Sequence, residues 1–335
     1  MLQNVTKSEL PESVISINPA LTFSTQELRV QTTLNTAFTL VGAGLHSGRP
    51  ARMRVLPAPA DFGVEFRRVD INDRNHRIPA RFDLVNDTQL CTRLCNEAGV
   101  EIATVEHLMA ALSGCGVHNV IIEIDGPEIP IMDGSSDLFV REILSAGVVG
   151  LDRPAKVLRI LKTVSVVDGK ALAEISSSGA FEIDFDISFT DQAIGQQHHN
   201  INMQNGSFVR ELSDCRTFCM HSDVEYMRSI GLARGGSLAN AVVIDDGKVM
   251  NPEGFRRSDE CVRHKMLDVV GDLALAGVPI LGCYRGVRAG HKMTNQLLRA
   301  VFADPDSYEI VEANAEQSAR LPGVGLCIGD LEVAV

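Results

Sequence analysis

The spacing of apolar residues along the chain predicts both strands and helices. Every second residue over 181–189 is apolar, with acidic or small polar residues between, which predicts a strand with one buried face. Over 104–112 the apolar residues lie three and four apart, as they do on the buried stripe of a helix. Similar patterns predict strands over 118–124 and 279–284, and helices over 138–146, 258–276 and 291–302. Gly147 and Gly277 end the first two of these helices.

The two halves of the chain carry a faint repeat of one pattern. His107 is followed seven residues later by Gly114, then by a predicted strand and a helix. His264 is followed at the same distance by Gly271, then by a strand and by a helix that opens at His291. The repeat predicts two similar α+β domains that face each other, each contributing one helix to a shared cleft. Ligands commonly bind at such interfaces, so we expect the functional site there.

The length of 335 residues also predicts two domains of ordinary size. Gly, Pro and charged residues cluster over 150–156, after which strand patterns begin again, so we place the domain boundary there. We predict a first α+β domain over 31–152 and a second over 153–303. Residues 1–30 show no sustained period and predict a flexible N-terminal extension, and residues 304–335 form a C-terminal tail.

Composition and charge exclude several classes of protein. Hydrophobic residues make up 45% and charged residues 22%, the proportions of a globular chain. The net charge of −12 opposes binding to phosphates, so no nucleic-acid partner is expected. The sequence contains no run near the roughly 20 apolar residues that span a bilayer, and its first thirty residues do not resemble a signal peptide. We therefore expect a cytoplasmic protein without a membrane span.

The eight cysteines of this chain predict reduced thiols rather than a disulfide framework. Cys91 and Cys95 are separated by three residues, and so are Cys215 and Cys219. This spacing also occurs in metal sites. Neither pair has a histidine in the usual arrangement, so buried thiols are the favoured interpretation.

One predicted helix places three chemically active side chains in a row. His264, Asp268 and Asp272 are spaced four residues apart and therefore lie along one helical face. His264 and Asp268 can both reach one metal ion, through an imidazole nitrogen and a carboxylate oxygen. A catalytic zinc site needs three protein ligands and an open position, so one more ligand is required.

His107 is the candidate for the third ligand, because it stands in the first turn of a helix whose other face is apolar. Glu106 then lies beside the metal, where a carboxylate can act as general base, and the helix N-terminus favours its ionised form. Taken alone, this segment fits better a capped surface helix with a polar first turn. The metal-ligand pattern on the second helix reverses that preference.

His291 opens the last predicted helix, where the helix dipole lowers the pKa of an imidazole unless a carboxylate compensates. Asp272 is the candidate for that carboxylate, and the pair would supply a general acid or stabilise an oxyanion. The other six histidines are assigned no chemistry. Among them, His118 is predicted to begin a strand, and His198 and His199 to lie in a solvated loop.

Long segments of the chain resemble a known family, and they read TVEHLMAALSGCGVHNVIIEIDGPEIPIMDGSSDLFV, RTF at 216–218, GGSLANAVV at 235–243, HKMLDVVGDL and GHKMTNQLLRAV. Over about 33–302 the chain resembles the UDP-3-O-acyl-N-acetylglucosamine deacetylases, the zinc enzymes of bacterial lipid A synthesis. The resemblance implies two α+β domains, each a sheet packed against helices, in a two-layer sandwich with the active site at the domain interface. It also implies one zinc ion per chain, the base Glu106, the acid pair Asp272 and His291, and the zinc ligands His107, His264 and Asp268.

The implied reaction is hydrolysis of the N-acetyl group of the UDP-linked sugar, which releases acetate in the committed step of lipid A biosynthesis. By the same resemblance, Thr217 helps to bind the oxyanion and Lys265 positions the substrate near its diphosphate. An insert at about 214–249 offers an apolar groove to the acyl chain. The implied groove residues are Leu45, Phe218, Val224, Leu232, Ser237, Leu238 and Val243. Cys219 and Met220 stand where many relatives carry a glycine and an aromatic residue.

Two other functions are compatible with these residues. The same metal triad would serve a metallohydrolase that acts on another amide or on a phosphoester. A non-catalytic protein could keep the fold and bind only a nucleotide or a lipid. The acyl groove argues against the first, and the intact proton-transfer residues argue against the second. We expect a monomer that binds a UDP-linked 3-O-acylated glucosamine, with no more than transient contact to a membrane surface.

Overall fold

The computed structural model describes residues 30–331, so the predicted N-terminal extension, except for Val30, lies outside the described residues. The strands are β1 Val30–Leu34, β2 Phe38–Ala43, β3 Pro50–Pro57, β4 Val64–Arg68, β5 Arg77–Pro79, β6 Val85–Asp87, β7 Arg93–Cys95, β8 Glu101–Ile102, β9 Val120–Ile124, β10 Val148–Pro154, β11 Lys156–Ile160, β12 Val164–Asp168, β13 Ala171–Ser176, β14 Phe181–Ser188, β15 Gln196–Asn202, β16 Phe218–Met220, β17 Val242–Asp245, β18 Lys248–Val249, β19 Ile280–Val287 and β20 Tyr308–Glu312. The helices are α1 Glu106–Gly114, α2 Asp137–Ala146, α3 Ser207–Glu211, α4 His221–Ser229, α5 Glu260–Ala274, α6 His291–Ala303 and α7 Ala315–Ser318. None of these helices is long and apolar enough to cross a bilayer.

Two sheets of matching strand order form the frame of the molecule. The first has the order β2-β3-β9-β4-β5, and the second contains β12-β13-β19 with β14 and β15 beyond β19. In the first sheet β9 runs antiparallel to β3 and parallel to β4. In the second, β19 runs antiparallel to β13 and parallel to β14. The shared order explains the repeat in the sequence, and the predicted α+β class is confirmed.

The remaining strands form smaller sheets or extend the large ones. β1 pairs with β10, β6 to β8 form a three-stranded sheet, and β16 to β18 form another. β11 and β20 join the second large sheet beside β19, so part of 304–335 is strand. The limits of the two domains, of the insert at 214–249 and of the tail stay predictions.

The predicted elements mostly match, with shifts of a few residues at their ends. β14 alternates buried and partly exposed residues as its pattern requires. Gly147 and Gly277, which follow α2 and α5, have φ of +78° and +83°, a region that glycine adopts at little cost. The prediction of a solvated loop at His198 and His199 is wrong, because both lie in β15, paired with β14. The segment shows no apolar alternation because β15 is an edge strand in which only Ile201 is buried.

α1 and α5 pack against each other inside one apolar core that draws residues from both large sheets. Their backbones approach closely at Gly271, where a Cβ atom would lie 2.0 Å from the carbonyl oxygen of Glu106. Only glycine fits at this point without movement of a helix. The approach places the first turn of α1 opposite the last turns of α5.

Candidate active site and metal centre

Three metal-ligating side chains meet where α1 contacts α5. The Nε2 atoms of His107 and His264 lie 3.7 Å and 3.4 Å from Oδ1 of Asp268. Their ligand atoms all fall within 4.8 Å of one another, and all three residues are buried. Oδ1 of Asp268 has no hydrogen-bond partner among the described residues. A buried, unpaired carboxylate oxygen facing two imidazole nitrogens fits a cation site, and this donor set suits zinc.

The surroundings of these ligands favour the protonation states that a metal requires. Burial lowers the pKa of His264 to about 4, so its ring is neutral at neutral pH. Its Nδ1 lies 3.0 Å from the carbonyl oxygen of Cys215 and can donate to it, which leaves the Nε2 lone pair toward the centre. Burial by itself would raise the pKa of Asp268, but Lys265 and the nearby histidines outweigh it and hold that pKa well below its usual range.

Glu106 is the first residue of α1 and is only 2% exposed. Its Oε2 accepts a hydrogen bond from the backbone N–H of Thr92 at 3.0 Å, and its Oε1 lies 3.9 Å from Nε2 of His291. We expected the helix N-terminus to favour the ionised form. Instead burial is the largest influence and raises the pKa of Glu106, although His291 and His107 partly offset it.

His291 opens α6 and faces Glu106 across the site. Its Nδ1 lies 2.8 Å from Oδ2 of Asp272, so the predicted partner carboxylate is in contact with the ring. Burial would lower the pKa of His291, but Asp272, Asp268 and Glu106 together outweigh it and raise the pKa to about 9. The imidazole is therefore positively charged at neutral pH, while the carboxylate opposite it has a raised pKa.

Thr217 and Lys265 lie beside the same centre. Thr217 is held at both backbone groups, since its N–H donates to the carbonyl of Gly134 and its carbonyl accepts from Val242, each at 2.8 Å. The Nζ of Lys265 donates to Oδ2 of Asp268 at 2.7 Å. Lys265 thus neutralises the Asp268 carboxylate, and its predicted contact with a diphosphate stays a prediction.

These side chains line one cavity of about 670 Å³ that extends between α4 and the strands β16 and β17. Six predicted groove residues line it, namely Leu45, Phe218, Val224, Ser237, Leu238 and Val243. Leu232 does not appear in the lining; its N–H bonds back to the carbonyl of Met227 just after α4. The ring of Phe189, which the sequence reasoning missed, packs edge-on against Phe218 with centroids 5.5 Å apart. Cys219 and Met220 also line the cavity.

Two further residues of the site were not anticipated from the sequence. Thr92 contacts both Glu106 and Asp272 from the segment just before β7. His46 lines the cavity, is 8% exposed, and has no partner for either ring nitrogen among the described residues. No spacing or period marks Thr92, because it bonds a residue 180 positions away. The only available signal for His46 was its residue type.

Comparison with known proteins agrees with this arrangement. The sequence model of the family described as UDP-3-O-acyl N-acetylglycosamine deacetylase matches residues 31–303. A protein of Phenylobacterium zucineum named UDP-3-O-acyl-N-acetylglucosamine deacetylase is 46% identical over 280 residues, covering 84% of this chain and 96% of that protein. Proteins of the same name from Pasteurella multocida and Idiomarina loihiensis are 46% and 47% identical over 290 residues, 86% of this chain and 95% and 94% of theirs. The resemblance seen in the sequence is thereby confirmed, and this chain belongs to the UDP-3-O-acyl-N-acetylglycosamine deacetylase family.

Proposed function

We propose that this chain is a zinc-dependent amidohydrolase that removes the N-acetyl group of UDP-3-O-acyl-N-acetylglucosamine and releases acetate. Membership of a family of metalloenzymes whose members are named deacetylases supports the reaction class. The observation that carries the proposal is the convergence of His107, His264 and Asp268, from helices of the two matching α+β units, in the wall of a largely apolar cavity.

The three converging residues would hold the ion. Two imidazole nitrogens and one carboxylate oxygen form a donor set that zinc prefers, and three protein ligands leave a position open for a reactant. When bound there, zinc supplies Lewis acidity, which makes a water molecule more acidic and polarises an amide carbonyl.

The protein's own groups divide the proton transfers between them. Oε1 of Glu106 takes the proton of the attacking water, and its raised pKa makes it a stronger base than an ordinary carboxylate. The charged His291 donates the Nε2 proton to the departing amine, while Asp272 holds the ring by Nδ1. The hydroxyl of Thr217 donates a hydrogen bond to the oxygen that gains negative charge. These opposite roles agree with the environments of the two titrating groups.

The cavity next to the centre would bind the acyl chain of the substrate. Its apolar lining removes methylene groups from water, and each buried methylene contributes up to about 0.8 kcal/mol. Lys265, a partly buried cation of the site, would face the diphosphate end of the substrate. The centre is built from one chain, which supports the proposal that a monomer is sufficient for activity.

Metal content and acetate release, measured on the same preparations, test the proposal. We expect about one zinc per chain and acetate release from the UDP-linked sugar by the wild-type protein. His107→Ala, His264→Ala and Asp268→Ala should each lose zinc and activity together. Glu106→Ala is the matched control, because it changes a buried neighbour that is not a ligand and should keep the metal. Full zinc occupancy in all three ligand variants would refute the metal assignment, and a zinc-loaded protein that releases no acetate would refute the reaction.

A further inference from the structure

We infer that Thr92 is a positioning residue that fixes the base Glu106 directly and the acid His291 through Asp272. This inference rests on the proposed function. The residue is 1% exposed and is not among those that line the cavity. It therefore acts on the reaction through Glu106 and Asp272 rather than through contact with the substrate.

All three polar groups of Thr92 form hydrogen bonds to residues at the start of α1 or in α5. Its N–H donates to Oε2 of Glu106 at 3.0 Å, and its carbonyl accepts from the N–H of Val105 at 3.3 Å. Its hydroxyl donates to Oδ1 of Asp272 at 2.6 Å, a length typical of a hydroxyl bound to an ionised carboxylate. One residue before β7 thus connects the start of α1 to the last turn of α5.

The two carboxylates are each held between Thr92 and His291. Glu106 directs Oε2 to Thr92 and Oε1 to Nε2 of His291, at 3.0 Å and 3.9 Å. Asp272 directs Oδ1 to Thr92 and Oδ2 to Nδ1 of His291, at 2.6 Å and 2.8 Å. With one oxygen fixed by Thr92, neither carboxylate can rotate freely about its last bond. The other oxygens are thereby aimed at opposite nitrogens of the same imidazole.

The chain that delivers Thr92 is itself held in one conformation. Leu90, two residues earlier, has φ of +67°, a region that bulky side chains rarely adopt. Such a conformation persists only where the surroundings fix the backbone. The bonds of Thr92 to α1 and α5 are part of that restraint.

Thr92→Val and Thr92→Ser separate the hydroxyl from the rest of the residue. Valine keeps the shape and the backbone bonds but removes the donor to Asp272, and we expect kcat to fall about 10- to 100-fold with KM within about twofold. Serine keeps the donor and should stay within about threefold of wild-type kcat. Thr33→Val is the control, because Thr33 is also buried and its hydroxyl donates to the carbonyl of Asn119 and accepts from the N–H of Ala58, away from the site. It should leave kcat unchanged.

Four further measurements keep the inference distinct from a loss of folding and from the proposed function. Zinc content of Thr92→Val should match that of Thr33→Val, and its thermal unfolding should occur at no lower temperature, since Thr33→Val removes two buried hydrogen bonds. In an Asp272→Asn background, Thr92→Val should change kcat less than about threefold, because the acceptor that it orients is altered. The downfield proton NMR signal of the His291 Nδ1–H, identified by its absence in His291→Ala, should shift or disappear in Thr92→Val and persist in Thr92→Ser.

The outcomes separate the two ideas. An unchanged kcat in Thr92→Val, or a Thr92→Ser variant as impaired as Thr92→Val, overturns the positioning role. An NMR signal that is the same in both variants also overturns it, and that readout holds even if the wild-type protein releases no acetate. Absence of acetate release by the wild-type protein overturns the proposed function instead.

Discussion

Gly271→Ala tests whether the close approach of α1 and α5 builds the site. The added Cβ would lie 2.0 Å from the carbonyl oxygen of Glu106, whereas ordinary van der Waals contact begins at 3.4 Å, so the two groups must separate by about 1.4 Å. The obstructing atom belongs to a helix backbone and cannot turn aside as a side chain does. We therefore expect α1 to shift as a unit, together with Glu106 and His107 in its first turn.

The expected loss of stability is the difference between two opposing effects. Alanine is favoured over glycine in a helix interior by about 1 kcal/mol. Forcing extra atoms into a packed interior costs about 1–3 kcal/mol, and more where backbone must move. The free energy of unfolding should therefore fall by up to about 2 kcal/mol. The effect on the reaction should be larger, because a displacement of about 1 Å in a catalytic group can reduce the rate about 100-fold.

Urea unfolding, zinc content and acetate release would be measured on Gly271→Ala beside Gly114→Ala. In the control, the new Cβ would lie 2.1 Å from Cδ1 of Phe208, a buried side chain rather than helix backbone, at the opposite end of α1 from Glu106. Gly114→Ala should lose stability but keep zinc and most of its kcat. If Gly271→Ala also keeps both, the close contact between the helices is not what holds the ligands together, and the reasoning fails.

Other consequences can be checked separately. Glu106→Ala should keep zinc and lose at least about 100-fold in kcat, and a near-normal kcat would remove Glu106 as the base. Ser237→Trp should narrow the groove and lower kcat/KM for long-chain substrates more than for short-chain ones; equal losses would contradict the assigned groove. The free energy of unfolding should decrease as the pH falls from 6.5 toward 4, because burial lowers the pKa of His118 to about 4 and the unfolded chain therefore binds the proton first. Urea titrations at pH 7 and pH 5 measure this slope. His118→Gln should reduce it, because glutamine does not titrate, while its amide oxygen offers an acceptor to the N–H of Thr32 that now donates to Nδ1 of His118.

Helical periodicity explains how much of the site could be read from the sequence. An α-helix fixes residues four apart on one face, so the row of His264, Asp268 and Asp272 follows from local geometry alone. The meeting of this row with His107 depends on how two helices pack, and only the faint repeat indicated it. The contacts of Thr92 had no local signal, because they form between segments far apart in the chain. His198 and His199 were misplaced because an edge strand is ordered by backbone hydrogen bonds and needs little apolar alternation.

The charges of the site explain why its two halves must stay together. Glu106, Asp268 and Asp272 are all buried, and Lys265 and the protonated His291 supply two positive charges against these three carboxylates. Buried charges are stable only when they are closely paired, and the unpaired Oδ1 of Asp268 lies where a metal would supply a further positive charge. Glu106 and His107 come from α1, whereas the other charged groups come from α5 and α6, which pack on the second sheet. Any movement that separates α1 from α5 therefore removes the pairing of Glu106 with His291 at the same time as it removes His107 from the other metal ligands, and stability and activity should decline together.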